Sequence, residues 1–349
     1  MDLFEPKGAW EKPCGGGVPP KVRRLIPEMA QYPGPKNSLS IGEFISPRGR
    51  VLRFVSGNPL WILARRDLNG YLLDLARSHK TVRYRRQRVV AVSRQDRGWR
   101  IGYGKSGKEV SADFLVAADG ASSPVRKAVL GPLGNQNLTA CFGFITEQCK
   151  DPSVATSQFL AGSGYIWAYP RTDHMCVGAG TWGDARGLEG LVRRFIAQRF
   201  GELKILSRWS ALIPFIHEPA LFDRQCSGTV FAAIGDAAGH VDALTGEGVL
   251  YALWGARLLA QSLIEGEPQR FDAAWRDTFG LELQRVAQMS LRFYRPQAME
   301  MLFNLASRSR TLSDFVAQIM TDQPEYQRIP LLFALRIPGV VRDLVRGGS

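Results

Sequence analysis

No apolar run in this sequence approaches the roughly 20 residues that a helix needs to cross a bilayer, so no helical membrane span is expected. Cysteine is also scarce. The five residues, Cys14, Cys141, Cys149, Cys176 and Cys226, stand at irregular spacings with no CxxC pair and no zinc-like Cys/His cluster. A disulfide scaffold and a structural zinc site are therefore disfavoured, and a reducing compartment fits best. The four histidines (His79, His174, His217 and His240) are isolated from one another. No Ser/His/Asp set, paired carboxylate or metal cluster competes for the chemistry. Met1 is followed by Asp2 and Glu5 where a secretion signal would place basic and then apolar residues, so a cytoplasmic location is expected.

Acidic charge is the other shortage, with 32 Asp and Glu against 45 Lys and Arg and a formal charge of +13. Much of the excess is local. Residues 80 to 109 carry ten basic side chains against Asp96 and Glu109, a net +8. No nucleic-acid motif accompanies that charge, so a solvated pair of strands is expected and no nucleic-acid partner.

What is present is a chain of 349 residues, 45% hydrophobic, enough for one large core or two moderate ones. Residues 12 to 61 are rich in Gly and Pro and read as a long loop with short regular pieces. Leu68, Tyr71, Leu72 and Leu75 recur at helical spacing behind Asp67, which is placed as an N-cap. Residues 81 to 103 alternate as strands around Asp96-Arg97-Gly98, and Phe114 to Ala118 is a short apolar strand of the buried parallel type. Strand-like pieces follow at 141 to 145, 165 to 169 and 175 to 179. Thr229 to Ile234 is another short strand, Gly246 to Ile264 a long helix, and everything beyond 268 is helical.

Two strands end alike, at Asp119-Gly120 and at Gly235-Asp236. An acid just past the carboxyl end of a buried strand stands where open α/β sheets bind ligands, and an adjacent Gly lets a ligand approach the backbone. Asp236 leads through Gly239 to Thr245-Gly246-Glu247-Gly248 and the long helix, whose glycine-flanked N-terminus offers free N–H groups and a positive dipole end. These two stretches, 118 to 126 and 235 to 248, resemble the second and third fingerprints of the FAD-binding fold shared by aromatic hydroxylases, flavin halogenases and geranylgeranyl reductases. That family has proline at the position of Ala243. Three further pieces are similar to motifs of the geranylgeranyl reductases: Lys12-Pro-Cys14-Gly-Gly-Gly17, Arg65-Arg-Asp-Leu-Asn69, and Gly164-Tyr165-Ile-Trp167-Ala-Tyr169-Pro170.

The resemblance, which covers residues 1 to 265, implies an α/β fold. A parallel-sheet FAD-binding domain (1 to 130 plus 222 to 266) would carry an inserted β-sheet substrate domain (131 to 221) and a helical C-terminal region (267 to 349). It implies FAD contacts from Glu5, Arg65, Asp119, Gly120, Gly235, Asp236, Gly246 and Gly248. Tyr165 and Trp167 would line a prenyl pocket, and Cys14 is the candidate catalytic residue. The implied reaction is reduction of C=C bonds in a geranylgeranyl-type chain, with NADPH or a reduced ferredoxin as donor. A monooxygenase or halogenase on the same fold is the alternative. His240, inside the third fingerprint, could contact the cofactor.

The fold's strand, G-x-G-x-x-G turn and helix for the pyrophosphate is not found at the N-terminus; Leu3-Phe4-Glu5 matches the end of its second strand. A lost first unit is therefore expected, and with it weak FAD binding or none; a truncated chain without FAD binding is a further alternative to the enzyme. Gly178-Ala-Gly180-Thr-Trp-Gly183 matches the pattern but is followed by helical sequence up to Glu202, where a ribose-binding acid should end a strand. Residues 325 to 349 place short apolar stretches between arginines, a pattern suited to peripheral contact with the inner face of a membrane carrying a prenyl lipid.

Overall fold

The computed structural model describes residues 1–162, 164–321 and 325–346. Its largest element is an eight-stranded sheet in the order Ile205–Pro214, Leu138–Glu147, His174–Thr181, Gly164–Pro170, Val154–Leu160, Asn37–Ile45, Val51–Ile62 and Gly17–Val18. All neighbours are antiparallel except Val154–Leu160 beside Asn37–Ile45. The Gly/Pro-rich stretch thus contributes two long strands to the sheet that residues 138 to 214 build, and is not the mostly irregular loop its composition suggests. Tertiary pairing overrides composition here, because both strands gain partners on each side.

The remaining parallel strands are short and form two separate pairs, Asp2–Phe4 with Arg83–Arg85 and Leu115–Ala117 with Phe231–Ala233. A three-stranded antiparallel sheet (Val89–Arg94, Trp99–Tyr103, Lys108–Ala112) packs on both. Tyr103 meets the Phe4 ring at 5.1 Å, and Trp99 Nε1 donates to the Val230 carbonyl at 2.8 Å. This sheet carries the basic stretch, and two of its neighbours' arginines, Arg83 and Arg85, pair with Asp2.

Helix Val249–Ile264 anchors one core, in which Leu250, Tyr251 and Leu259 meet Trp275, Phe279 and Leu283. Helix Leu188–Phe200 covers the sheet through Val192, Phe195 and Ile196 against Phe144, Ile166 and Val177. The C-terminal helices pack Phe303, Phe315 and Val316 against Phe44, Phe54 and Phe159 of the sheet. The whole is the mixed α/β architecture with a helical C-terminal region that the sequence leads one to expect.

Candidate functional site

The Cys14 loop is thin because nothing larger than glycine fits. A Cβ on Gly16, whose φ is +86°, would come 2.2 Å from the Leu63 carbonyl, and one on Gly15 would come 2.9 Å from the Tyr169 ring. Behind the loop stands Arg171, only 1% exposed, which donates to Cys14 O at 3.0 Å and to Glu11 Oε1 at 2.7 Å. The same Glu11 carboxylate accepts the Arg65 and Arg66 backbone N–H groups, each at 3.0 Å, and so caps helix Arg65–Ser78. Asp67 is not the N-cap that local sequence suggests. The helix begins two residues earlier, and the cap arrives from Glu11 across space. Burial opposes the Glu11 charge, but Arg171 and the helix N–H groups more than offset it and hold the carboxyl below its usual range.

Across from that loop the sheet presents two indoles. Trp167 and Trp209 stack with centroids 5.9 Å apart and 22° between planes. Strand glycines make the room, since a Cβ on Gly178 would lie 2.6 Å from Trp167 and 2.8 Å from Trp209, and one on Gly143 would lie 2.4 Å from Trp209. Gly178 and Gly180 of the 178–183 pattern therefore lie within strand His174–Thr181, where Gly178 serves an aromatic floor, and no phosphate turn forms there. Tyr165 packs against Trp167 and donates its hydroxyl to Thr245 O at 2.6 Å, tying the sheet to the opposite wall.

That wall is the stretch from Gly235 to Gly248. Gly235 takes φ +56°, and a Cβ there would come 2.9 Å from Ala252 Cβ, so the turn sits directly on helix Val249–Ile264. Gly248 leaves space for Asp236, whose Oδ1 would lie 3.0 Å from an added Cβ. Lys12 Nζ approaches Asp236 at 3.9 Å. Beneath them Asp242 is fully buried and accepts from Leu244 N (2.8 Å), Thr245 N (2.9 Å) and the Tyr326 hydroxyl (2.6 Å). Tyr294 donates to Leu244 O at 2.8 Å. Burial raises the Asp242 carboxyl despite these donors, and burial likewise lifts Glu247 to about 7 although its Oε1 accepts from Leu250 N.

The two walls enclose a cavity of about 250 Å³. Of the residues singled out from sequence, it brings together Cys14, Arg65, Tyr165 and Trp167 with Asp236, Gly246 and Gly248. Gly235 supports the turn without lining it. Glu5 and Asp119 lie elsewhere: Glu5 Oε1 accepts from Lys7 N at 2.7 Å, and Asp119 accepts from Ser123 Oγ beside Gly120, whose φ is +91°. His240 faces away, buried against Trp275 at 4.3 Å with burial lowering its pKa to about 3, so it does not line the cavity. Sequence reading passed over Glu11, Arg171, Trp209, Asp242, Glu247, Tyr294 and Tyr326. Only Glu247, set between two glycines at the helix start, carries a local signal.

A family model for the FAD binding domain matches residues 1–182, just over half of the chain. Among curated relatives, the geranylgeranyl diphosphate reductase of Synechocystis sp. is 24% identical over 85% of this chain and 80% of its own length. The digeranylgeranylglycerophospholipid reductase of Methanothrix thermoacetophila is 27% identical over 54% of this chain, which spans 52% of that relative. The chain is also similar in structure to a geranylgeranyl bacteriochlorophyll reductase-like protein from Thermoplasma acidophilum, with a TM-score of 0.74 at 16% identity over 99% of this chain and 92% of that one. The halogenase PltM superposes with a TM-score of 0.69 at 14% identity over 97% of this chain and 82% of its own.

The cavity's chemistry suits the flavin end of FAD. Its walls offer a flat aromatic floor, a glycine-thinned loop, a helix N-terminus and the Asp236 carboxylate. Three lining groups, Arg65 Nε, Thr139 Oγ1 and Trp209 Nε1, are buried without a hydrogen-bond partner among the described residues, which leaves polar capacity for a bound group. The chain belongs to the FAD-binding-domain family and is an FAD-dependent oxidoreductase similar to the geranylgeranyl reductases.

Proposed function

We propose that this protein reduces isolated C=C bonds in a prenyl chain held in the cavity between the Cys14 loop, the indole floor and the Asp236 turn. The observation that carries the reading is that one glycine-thinned cavity with an aromatic floor also receives Asp236 and the N-terminus of helix Val249–Ile264. Asp236 would accept a ribityl hydroxyl, Arg65 would face the cofactor, and the thin backbone at Gly246 and Gly248, beside the positive end of the helix, would meet the electron-rich edge of the flavin; the Leu250 N–H expected to be free is taken by Glu247. Glu5 and the Asp119-Gly120 corner are assigned to the ribose and phosphate end, outside this cavity. Bound there, FAD would supply the hydride, with electrons drawn from NADPH or a reduced ferredoxin.

The chain's own part is placement and protons. Tyr165 and Trp167 give an apolar chain a flat surface, and the hydrogen bond from Tyr165 to Thr245 O holds that surface in place. Cys14 and Glu247 are the wall groups assigned to proton delivery. Glu247, lifted to about 7, holds a proton through much of the neutral range. The exposed apolar residues Leu331, Leu335, Val341 and Val345, set among Arg336, Arg342 and Arg346, are assigned to the surface of a bilayer that carries the substrate. No helix of the described residues is long and apolar enough to cross a membrane.

The test is to purify the chain, record flavin absorbance, and incubate it anaerobically with geranylgeranyl diphosphate and either NADPH or reduced ferredoxin. Products heavier by two hydrogens per reduced bond support the reading. Oxygen-dependent hydroxylation or halogenation of an aromatic acceptor, with no hydrogenated prenyl product, overturns it.

A further inference from the structure

A second cavity, of about 40 Å³, lies between the end of helix Pro124–Leu130 and the segment Leu221 to Cys226. The turn Gly235–Gly239 stands between it and the first cavity, with Asp236 on one side and Ala238 on the other. Its apolar lining includes Leu133 and Phe222, but its charged lining is purely cationic, from Arg126 and Arg224.

Arg126 is 4% exposed. One guanidinium nitrogen donates to Gly131 O, and Nε has no hydrogen-bond partner among the described residues. Neither Arg126 nor Arg224 forms an ion pair among the described residues. Asp272, which faces Cys226, is committed elsewhere: it accepts from Cys226 N (2.8 Å), Ser227 N (3.1 Å) and Trp275 Nε1 (3.1 Å), and stands 3.8 Å from Arg276. A buried cation without a counter-charge is costly, and here a second arginine adds repulsion. Burial and Arg224 together press the Arg126 pKa down, while nearby Cys226 acts the other way.

A cavity of about 40 Å³ offers roughly three water positions at ~10–15 Å³ each, about the room of one tetrahedral oxyanion. Paired guanidinium forks match the oxygens of such an anion. We propose that this cavity is an oxyanion site, in which Arg126 and Arg224 hold a phosphate group on the far side of the turn that carries Asp236. The phosphate is either free or the end of a phosphomonoester whose remainder leaves through the mouth at the exposed Arg224 and Gln225.

The experiment is calorimetric titration of the full chain with inorganic phosphate and, separately, with glycerol 1-phosphate, at constant ionic strength set by chloride. Arg224→Glu, at an exposed position, is the first variant; Arg126→Lys, which keeps the charge and loses the fork, is the second. Expected are a Kd of about 1 mM or tighter for at least one ligand and a loss of about tenfold or more in both variants. Tighter binding of inorganic phosphate identifies a free anion, and tighter binding of glycerol 1-phosphate identifies a phosphomonoester. Absence of binding, or equal binding by parent and Arg224→Glu, overturns the proposal. Flavin absorbance separates this site from the first, since Arg224→Glu should leave flavin content unchanged.

Discussion

Removing the Tyr326 hydroxyl tests whether the C-terminal helices hold the cofactor wall. In the parent, the buried Asp242 carboxylate accepts hydrogen bonds from the backbone of its own loop, from the Thr245 side chain and, at 2.6 Å, from Tyr326. Tyr326→Phe keeps the ring and deletes the donor, leaving a buried charge short of one partner, a loss of about 1.5–3 kcal/mol. At a specific unfolding entropy of about 2.1 cal/mol/K per residue, 349 residues convert that loss to a fall in Tm of roughly 2–4 °C. The pH dependence carries a sign. Burial raises the folded-state pKa of Asp242, and Tyr326 is among the groups that oppose the rise. Stability from the neutral carboxyl is therefore full below the unfolded pKa of about 3.9 and declines as pH rises toward the folded value. Losing Tyr326 lifts that value further, so the variant's deficit should be larger at pH 7 than at pH 4. Thermal melts of both proteins across that range read the effect, with Asp242→Asn and the double variant completing the cycle. Equal melting of parent and Tyr326→Phe at pH 7, or strictly additive losses in the cycle, would refute the coupling.

Asp236→Ala removes a charged acceptor from the first cavity and should weaken FAD by about 1.5–3 kcal/mol, roughly 10- to 150-fold, read as flavin retained after gel filtration. Gly178→Val drives a Cβ to within 2.6 Å of Trp167 and should cost about 1–3 kcal/mol while changing tryptophan fluorescence; an unchanged spectrum would deny the indole stack. Glu247, raised mainly by burial to about 7, should withdraw about 3 kcal/mol of stability as pH rises from about 4 to above 7, and Glu247→Gln should flatten that slope in urea titrations. Leu335 and Val345, 70% and 81% exposed, should carry salt-sensitive binding to anionic liposomes, which the double change to Asp abolishes if these helices form the contact.

The parts of this fold that were legible in the sequence are those whose cause is local. Helix Val249–Ile264, the turn at Gly98 and the strands at 141 to 145, 165 to 169 and 175 to 179 follow from periodicity and glycine placement. The fingerprints around Asp236 could be read for the same reason, since a tight turn into a helix writes its glycines next to its acid. What could not be read is set by distance along the chain. Glu11 caps a helix that starts 54 residues later, and Arg171 reaches Glu11 across 160, so neither residue looks different from an ordinary surface charge. Strand glycines under two indoles mimic a phosphate turn, because spacing alone does not say whether a missing Cβ makes room for a ligand or for a tryptophan.

The C-terminal region shows most clearly why motif content is a poor measure of involvement. Nothing in residues 267 to 349 resembles a fingerprint, and the sequence alone makes them an appendage. Yet Tyr294 and Tyr326 deliver their hydroxyls to Leu244 O and Asp242, while Tyr165 delivers its own to Thr245 O from the sheet. Three tyrosines from two directions therefore fix the backbone between Asp236 and the helix N-terminus, where the family places proline and this chain has Ala243. Proline would restrict that loop through its own ring. With alanine there, the ring's restriction is missing, and the buried tyrosine bonds add to the loop's own Asp242 contacts in replacing it. Ala243→Pro should then recover part of the stability lost in Tyr326→Phe while adding little to the parent; equal gains in both backgrounds would show that the tyrosines restrain something other than this loop.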